Sequence, residues 1–116
     1  MANYELSNKA VEDLSKIYEY TFAFWSEFQA EKYYFELIEY CELLAENPNI
    51  GKNFEEIGAH IFKFPANKHI IFYKIINKQQ IEILRILGAD MDLKNRILEQ
   101  KLRLIAKFSL RAKHEQ

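Results

Sequence analysis

The spacing of apolar residues changes near residue 50, and this change constrains the fold more than any other feature of the chain. Before it, apolar residues recur every three or four positions in two long stretches, which is typical of amphipathic helices. After it, apolar residues alternate or run together in short β-branched and aromatic segments, which is typical of strands. The sequence therefore predicts a helical first half and a sheet in the second half.

Two serines mark the expected helix starts. Ser7 and Ser26 each precede a helical stretch, and a serine hydroxyl in this position accepts a hydrogen bond from a free backbone N–H. Gln29 follows Ser26 at the capping-box spacing, and Pro48 should end the second helix because proline cannot continue one. Only a residue or two separates the helices, which predicts an antiparallel hairpin. The first helix should keep most of its charges off the apolar stripe, namely Glu12, Asp13, Lys16 and Glu19.

The second half predicts an antiparallel meander of three strands. "AHIFKFP" alternates and should end at Pro65, while "KHIIFYKII" is typical of a central strand buried on both faces. A short turn, "NKQ", leads into "QIEILRILG", and "NIGKNFEEIG" should be a loop. Asn3 to Leu6 form a short candidate edge strand. The fold class is thus α+β, with an N-terminal strand, an antiparallel two-helix hairpin on a small antiparallel sheet, and a C-terminal basic helix.

The charge is divided between the two halves of the chain. Residues 1–60 contain 4 Lys/Arg against 12 Asp/Glu, and residues 61–116 contain 12 against 5. An acidic surface and a basic surface are therefore expected. Two interpretations stay open. The surfaces can simply complement each other, or the basic one can meet an acidic partner or nucleic acid.

Cysteine content and hydropathy indicate the compartment. Cys41 is the single cysteine and lies in an amphipathic helical pattern, so a small buried residue in a reducing compartment is expected. The N-terminus has no apolar signal core, and the longest apolar run is far shorter than the roughly 20 residues of a membrane span. We expect a cytoplasmic protein that makes no membrane contact.

Four blocks of sequence, in order over residues 4–92, resemble the RelE/ParE superfamily of toxins, closest to its ParE-like branch. They are "YELSNKAVEDLSKIYEYT", "QAEKYYFELIEYCELLAENPNIGK", "FKFPANKHIIFYKI" and "IEILRILGADMD". The resemblance implies that residues 1–92 form the toxin domain. Residues 93–116 extend beyond it, as a basic amphipathic helical extension of the same domain.

The resemblance also implies a function. Members are toxins of type II toxin–antitoxin systems, some known as plasmid stabilisation proteins, and a cognate antitoxin neutralises them with a segment that folds on binding. The ParE-like branch implies inhibition of DNA gyrase without hydrolytic chemistry, in a homodimer or in a hetero-oligomer with the antitoxin. Two alternatives stay open: a RelE-like ribosome-dependent mRNA endonuclease, and an attenuated, non-toxic homologue. The second alternative is raised by Gly88, Ala89 and Asp90, where the family commonly has a "H.R" pattern.

No catalytic residue is assigned from the sequence. RNA cleavage needs a base, a cation and an acid, and the acidic turn of Asp90 and Asp92 would repel a phosphate nearby. The three histidines are not at metal-ligand spacing and no glycine-rich phosphate loop occurs, so neither a metal nor a cofactor is expected. The predicted sheet does offer candidates for contacts with the target or the antitoxin, namely Lys63, Lys68, His69, Tyr73 and Arg85.

Overall fold

A computed structural model describes residues 2–89 together with Leu102 and Ile105. Two helices follow a first strand, and four more strands follow the helices. In chain order the elements are β1 (Asn3–Leu6), α1 (Asn8–Phe24), α2 (Glu27–Glu46), a single 3-10 turn (Pro48–Ile50), β2 (Lys52–Asn53), β3 (Ile61–Ala66), β4 (His69–Asn77) and β5 (Gln80–Gly88).

The five strands form one sheet in the order β1-β5-β4-β3-β2. The pairs β5–β4, β4–β3 and β3–β2 are antiparallel, as the predicted meander requires, whereas β1 runs parallel to β5. The α+β class is confirmed, and the sheet is mixed rather than antiparallel throughout. β4 lies in the middle and is buried from Ile71 to Lys74, which confirms the prediction of a central strand.

Both predicted helix starts are confirmed. The Ser7 Oγ accepts a hydrogen bond from the Ala10 N–H at 3.0 Å, and the Ser26 Oγ accepts one from the Gln29 N–H at 3.1 Å. Each bond satisfies one of the backbone donors that a helix leaves free in its first turn. α1 and α2 pack against each other as the predicted hairpin and cover one face of the sheet.

The prediction that Pro65 ends its strand is wrong, because β3 continues through it to Ala66. The Phe54 N–H donates to the Ile61 carbonyl at 2.7 Å, so the backbone groups of Ile61 face away from β4. Backbone groups of every second residue face the same side, which places the Pro65 nitrogen on this outer side as well. β2 reaches only as far as Lys63, so the N–H that proline lacks costs the sheet no hydrogen bond.

The sheet separates two apolar clusters. The larger lies between the hairpin and the sheet, and it includes Cys41, whose predicted burial is confirmed. Neighbouring residues of one strand point to opposite faces, so Tyr73 belongs to this cluster and Phe72 to the second one. Among the described residues, seven buried side chains form the second cluster: Phe54, Ile57, Ile61, Phe72, Leu84, Leu87 and Leu102.

The predicted C-terminal basic helix over residues 93–116 lies outside the described residues, apart from Leu102 and Ile105. Both of these are helical, and both pack against the second cluster, with Leu102 fully buried. These two residues therefore lie on the sheet face opposite the hairpin. Within the described residues, no helix combines the length and the apolarity needed to cross a membrane.

Candidate functional site

The five contact candidates from the sequence are distributed over three parts of the fold. Lys63 lies on the face of the second cluster, with its Nζ 4.4 Å from the centre of the Phe54 ring. Lys68 and His69 lie at the turn between β3 and β4. Tyr73 and Arg85 have partners in or beside the hairpin. The structure therefore does not bring the five together into one site.

Arg85 is held in an ion pair with Asp13 of α1. Its Nε and Nη2 donate to the two carboxylate oxygens at 2.8 and 2.9 Å, and both side chains are largely buried. The Ile86 N–H donates to the same carboxylate at 2.9 Å. The prediction that Asp13 lies off the apolar stripe is wrong, because the carboxylate faces the sheet. Two-point contact of this kind neutralises the guanidinium and fixes its orientation.

A β-bulge places Arg85 for this contact. Phe72 is paired with Arg85 and Tyr73 with Ile83, which leaves Leu84 as an additional residue in β5. Bulges of this kind re-aim side chains. The Leu84 carbonyl accepts a hydrogen bond from the Ser7 Oγ at 2.8 Å, so the residue that caps α1 also anchors the bulge. The start of α1 and the middle of β5 are thus joined by one network.

Tyr73 is fully buried and joins the sheet to the exit of α2. Its hydroxyl donates to the Pro48 carbonyl at 2.7 Å and accepts from the Gly51 N–H at 3.0 Å. Burial raises the pKa of Tyr73, and the Gly51 N–H lowers it in part. A Cβ on Gly51 would overlap the Tyr73 hydroxyl, so glycine is required there by close approach. Tyr73 therefore supports the fold and offers no surface to a partner.

Lys68 and His69 are tied to α2 by Tyr33. The Tyr33 hydroxyl accepts from the Lys68 N–H at 3.2 Å and lies 2.6 Å from the Nδ1 of His69. Burial raises the pKa of Tyr33, and the Lys68 N–H lowers it in part. Asn67, with a φ of 62°, donates to a carboxylate oxygen of Glu36 at 2.7 Å. These contacts fix the turn against the hairpin and leave the Lys68 side chain at the surface.

A groove of about 540 Å³ lies between α1 and α2 and also contacts Leu6 at the end of β1. Tyr18 of α1 and Tyr34 of α2 meet edge to face across it, with ring centres 6.4 Å apart. Phe35 and Val11 on its border are large apolar side chains that face solvent. Exposed apolar residues gathered at a concave surface mark a binding site. The described lining consists of Leu6, Val11, Leu14, Ser15, Tyr18, Glu19, Glu31, Tyr34 and Phe35.

The charge of the groove is negative. Its charged lining residues within the described part of the chain, Glu19 and Glu31, are both carboxylates. The two helices together carry three lysines against nine Asp and Glu. The arrangement favours a ligand that combines apolar side chains with positive charge. In the part of the chain that the structure describes, no group of three or more His, Cys, Asp or Glu side chains is placed to hold a metal.

Sequence reasoning missed the groove because it assigned one apolar stripe to each helix. Val11 and Phe35 are large apolar side chains of the hairpin that lie outside the core. The signal was present in the sequence as apolar residues around more of each helix than one buried stripe needs. Asp13 and Tyr33 were missed for another reason, since their partners lie 72 and 35 or more positions along the chain.

The chain is thus a small α+β domain with an open apolar groove between its helices, and with Tyr73 and Arg85 of its sheet held in internal contacts. Comparison with known proteins narrows the class. Residues 4–93 match the model of the family described as the ParE toxin of the type II toxin–antitoxin system, parDE. The chain therefore belongs to the ParE toxin family.

Individual relatives agree with this family. Toxin ParE1 of Mycobacterium tuberculosis, in strains CDC 1551 and H37Rv, is 34% identical over 91 residues, covering 78% of this chain and 93% of the relative. Toxin ParE1 of Caulobacter vibrioides is 33% identical over 92 residues, covering 79% and 94%. A solved structure described as a chromosomal ParDE TA system from P. aeruginosa matches with a TM-score of 0.67 at 20% identity, covering 78% of this chain and 98% of that one. The structural match supports the fold, and the resemblance drawn from the sequence is confirmed.

Proposed function

We propose that this toxin is neutralised by a cognate antitoxin that binds in the hairpin groove, and that its target is DNA gyrase. The proposed antitoxin site is supported by the groove itself, which has an exposed apolar border and two carboxylates. An antitoxin segment with apolar side chains flanked by Lys or Arg complements both properties. Toxin and antitoxin then assemble as a hetero-oligomer.

The gyrase part rests on membership of the ParE family and on the state of the sheet residues. A nuclease would need a free cation and a free acid or base near one phosphate. Here Arg85 is neutralised by Asp13, and Tyr73 is buried with both of its hydrogen bonds directed to the exit of α2. These contacts favour an inhibitor that acts by binding over a RelE-like endonuclease. They leave Lys63 and Lys68 as the accessible cations among the sheet candidates, since both side chains remain partly or fully exposed.

The groove is tested with the product of the adjacent reading frame as the antitoxin. Replacing Phe35→Ser should weaken its binding at least tenfold, equivalent to about 1.4 kcal/mol, because an exposed aromatic anchor is lost. Isothermal titration calorimetry measures the change. Ile50→Ser is the matched control, since Ile50 is a large exposed apolar residue outside the groove lining. Its affinity should stay within a factor of about two. Equal affinities for the two variants would contradict the groove as the binding site.

The target is tested in a supercoiling assay. Purified gyrase should lose activity when this chain is added at micromolar concentration, and the antitoxin should restore the activity. Full supercoiling in the presence of excess chain would exclude gyrase without affecting the proposed antitoxin site. The nuclease alternative gives a different result, namely transcripts cut at codon positions in cells that express the chain. Lys63→Ala is the informative variant for it, since Arg85 is needed to hold Asp13.

A further inference from the structure

At the adjoining ends of the two helices and in the turn between them, four large aromatic side chains are more than 60% exposed. Tyr20, Phe24, Trp25 and Phe28 are 62% to 72% exposed, although all lie within nine consecutive residues. Tyr20 and Phe24 pack together with ring centres 4.6 Å apart, and Trp25 and Phe28 follow within the next four residues of the chain. None of the four lines the groove. We refer to these four residues as the hairpin tip.

Water-exposed aromatic area of this size is unfavourable in an isolated molecule. At roughly 200 Å² for a whole aromatic side chain, the four exposed fractions amount to about 550 Å² per molecule. Monomeric proteins seldom expose contiguous apolar patches above a few hundred Å². Two such surfaces in contact would remove about 1,100 Å² from water, which exceeds the roughly 1,000 Å² needed for a specific interface.

The low charge of the hairpin tip indicates which kind of partner it can bind. Between Tyr20 and Phe28 the one charged side chain is Glu27. The tip therefore offers no cation to phosphate or to an anionic membrane. It is also nearly neutral, so two copies can meet there with a single carboxylate from each at the border. By contrast, the groove carries Glu19 and Glu31, and two grooves facing each other would bring four carboxylates together.

We propose that two copies of this chain associate through the hairpin tip. In a two-fold symmetric pair the same patch serves both molecules, so the tips pack against each other with Trp25 near the symmetry axis. This association needs neither antitoxin nor gyrase, and it leaves the groove of each copy open. It is an apolar contact, so added salt does not weaken it.

The single tryptophan of the chain makes the proposal measurable, because Trp25 is itself part of the tip. Raising the concentration of the purified chain should shift its tryptophan emission to shorter wavelength as Trp25 leaves water. Sedimentation equilibrium over the same range should show monomer converting to dimer. Phe24→Ser with Phe28→Ser should weaken the association at least tenfold and keep Trp25 as the probe. Val11→Ser with Phe35→Ser, which removes exposed apolar side chains of the groove, should leave it unchanged.

The outcomes are distinct. A monomer at all concentrations, with constant emission, overturns the proposal, and a shift that then appears only with antitoxin or gyrase assigns the tip to that partner. A dimer that forms without an emission shift, or that high salt dissociates, also overturns it. Such a dimer would instead join the acidic and basic halves of two copies. Circular dichroism of each variant checks that the fold is kept, as expected for side chains that are mostly exposed.

Discussion

Asp13 joins α1 to β5 through its carboxylate. Its carboxylate accepts three hydrogen bonds, two from Arg85 and one from the Ile86 N–H. Without this carboxylate, the Arg85 guanidinium and the Ile86 N–H would be largely buried and would lack an acceptor. Removing one partner of a buried ion pair destabilises a protein by more than the intact pair stabilises it.

Asp13→Ala should therefore destabilise the protein by about 3 kcal/mol. The measurement is urea unfolding followed by circular dichroism. Glu12→Ala is the matched control, because the neighbouring Glu12 is exposed and pairs with Lys9 at the surface. Its cost should stay below about 0.5 kcal/mol. If both substitutions had the same small effect, the buried pair would not stabilise the fold.

Cys41 provides a second test at the residue scale. Burial raises the pKa of its thiol from 9.0 to about 12, and the nearby Glu42 contributes in the same direction. The thiol is thus favoured over the reactive thiolate. Because the folded pKa is the higher one, the stability it contributes is full below pH 9 and is lost as pH rises toward 12.

We therefore expect Cys41 to resist a disulfide reagent such as DTNB at pH 8 while the protein is folded. In urea the Cys41 thiol should react with DTNB, and the rate of this reaction should increase with the fraction of unfolded protein. Native protein that reacts as fast as free cysteine would show that the site opens without unfolding.

At the scale of elements, the sequence predicted what is decided locally. Ser7 and Ser26 act on backbone donors three residues away, so their positions could be found from the chain alone. Asp13 could not, because its partner is Arg85 in β5 and a carboxylate is expected to face water. The end of β3 was predicted wrongly because a proline ends a strand only where its nitrogen faces a neighbouring strand, and the Pro65 nitrogen faces none. The two-residue strand β2 was missed because it is too short to create a period.

The same distinction between local and long-range interactions applies to the candidate site. The five predicted residues were selected by charge and by strand position, and the structure assigns two of them, Tyr73 and Arg85, to internal contacts. What the residues of a strand do depends on the element that covers them. The groove was not predicted because it exists only when two helices are placed side by side.

At the scale of the whole molecule, the described residues include two separate exposed apolar surfaces, the groove and the hairpin tip. The groove has an acidic border, whereas the hairpin tip is nearly neutral. These properties suit different partners, and the two sets of residues do not overlap. Substitutions in one place should therefore leave binding at the other place unchanged, and distant sites are expected to act additively.

The contact between Ser7 and Leu84 limits how early the protein can fold while it is being translated. These residues are 77 positions apart, and the Asp13–Arg85 pair spans 72. At ordinary translation rates, roughly 4 to 14 s pass between the appearance of Asp13 and that of Arg85. During this interval the nascent helices have neither β5 nor its bulge to pack on. The hairpin can therefore complete its contacts with the sheet only after β5 has been synthesised.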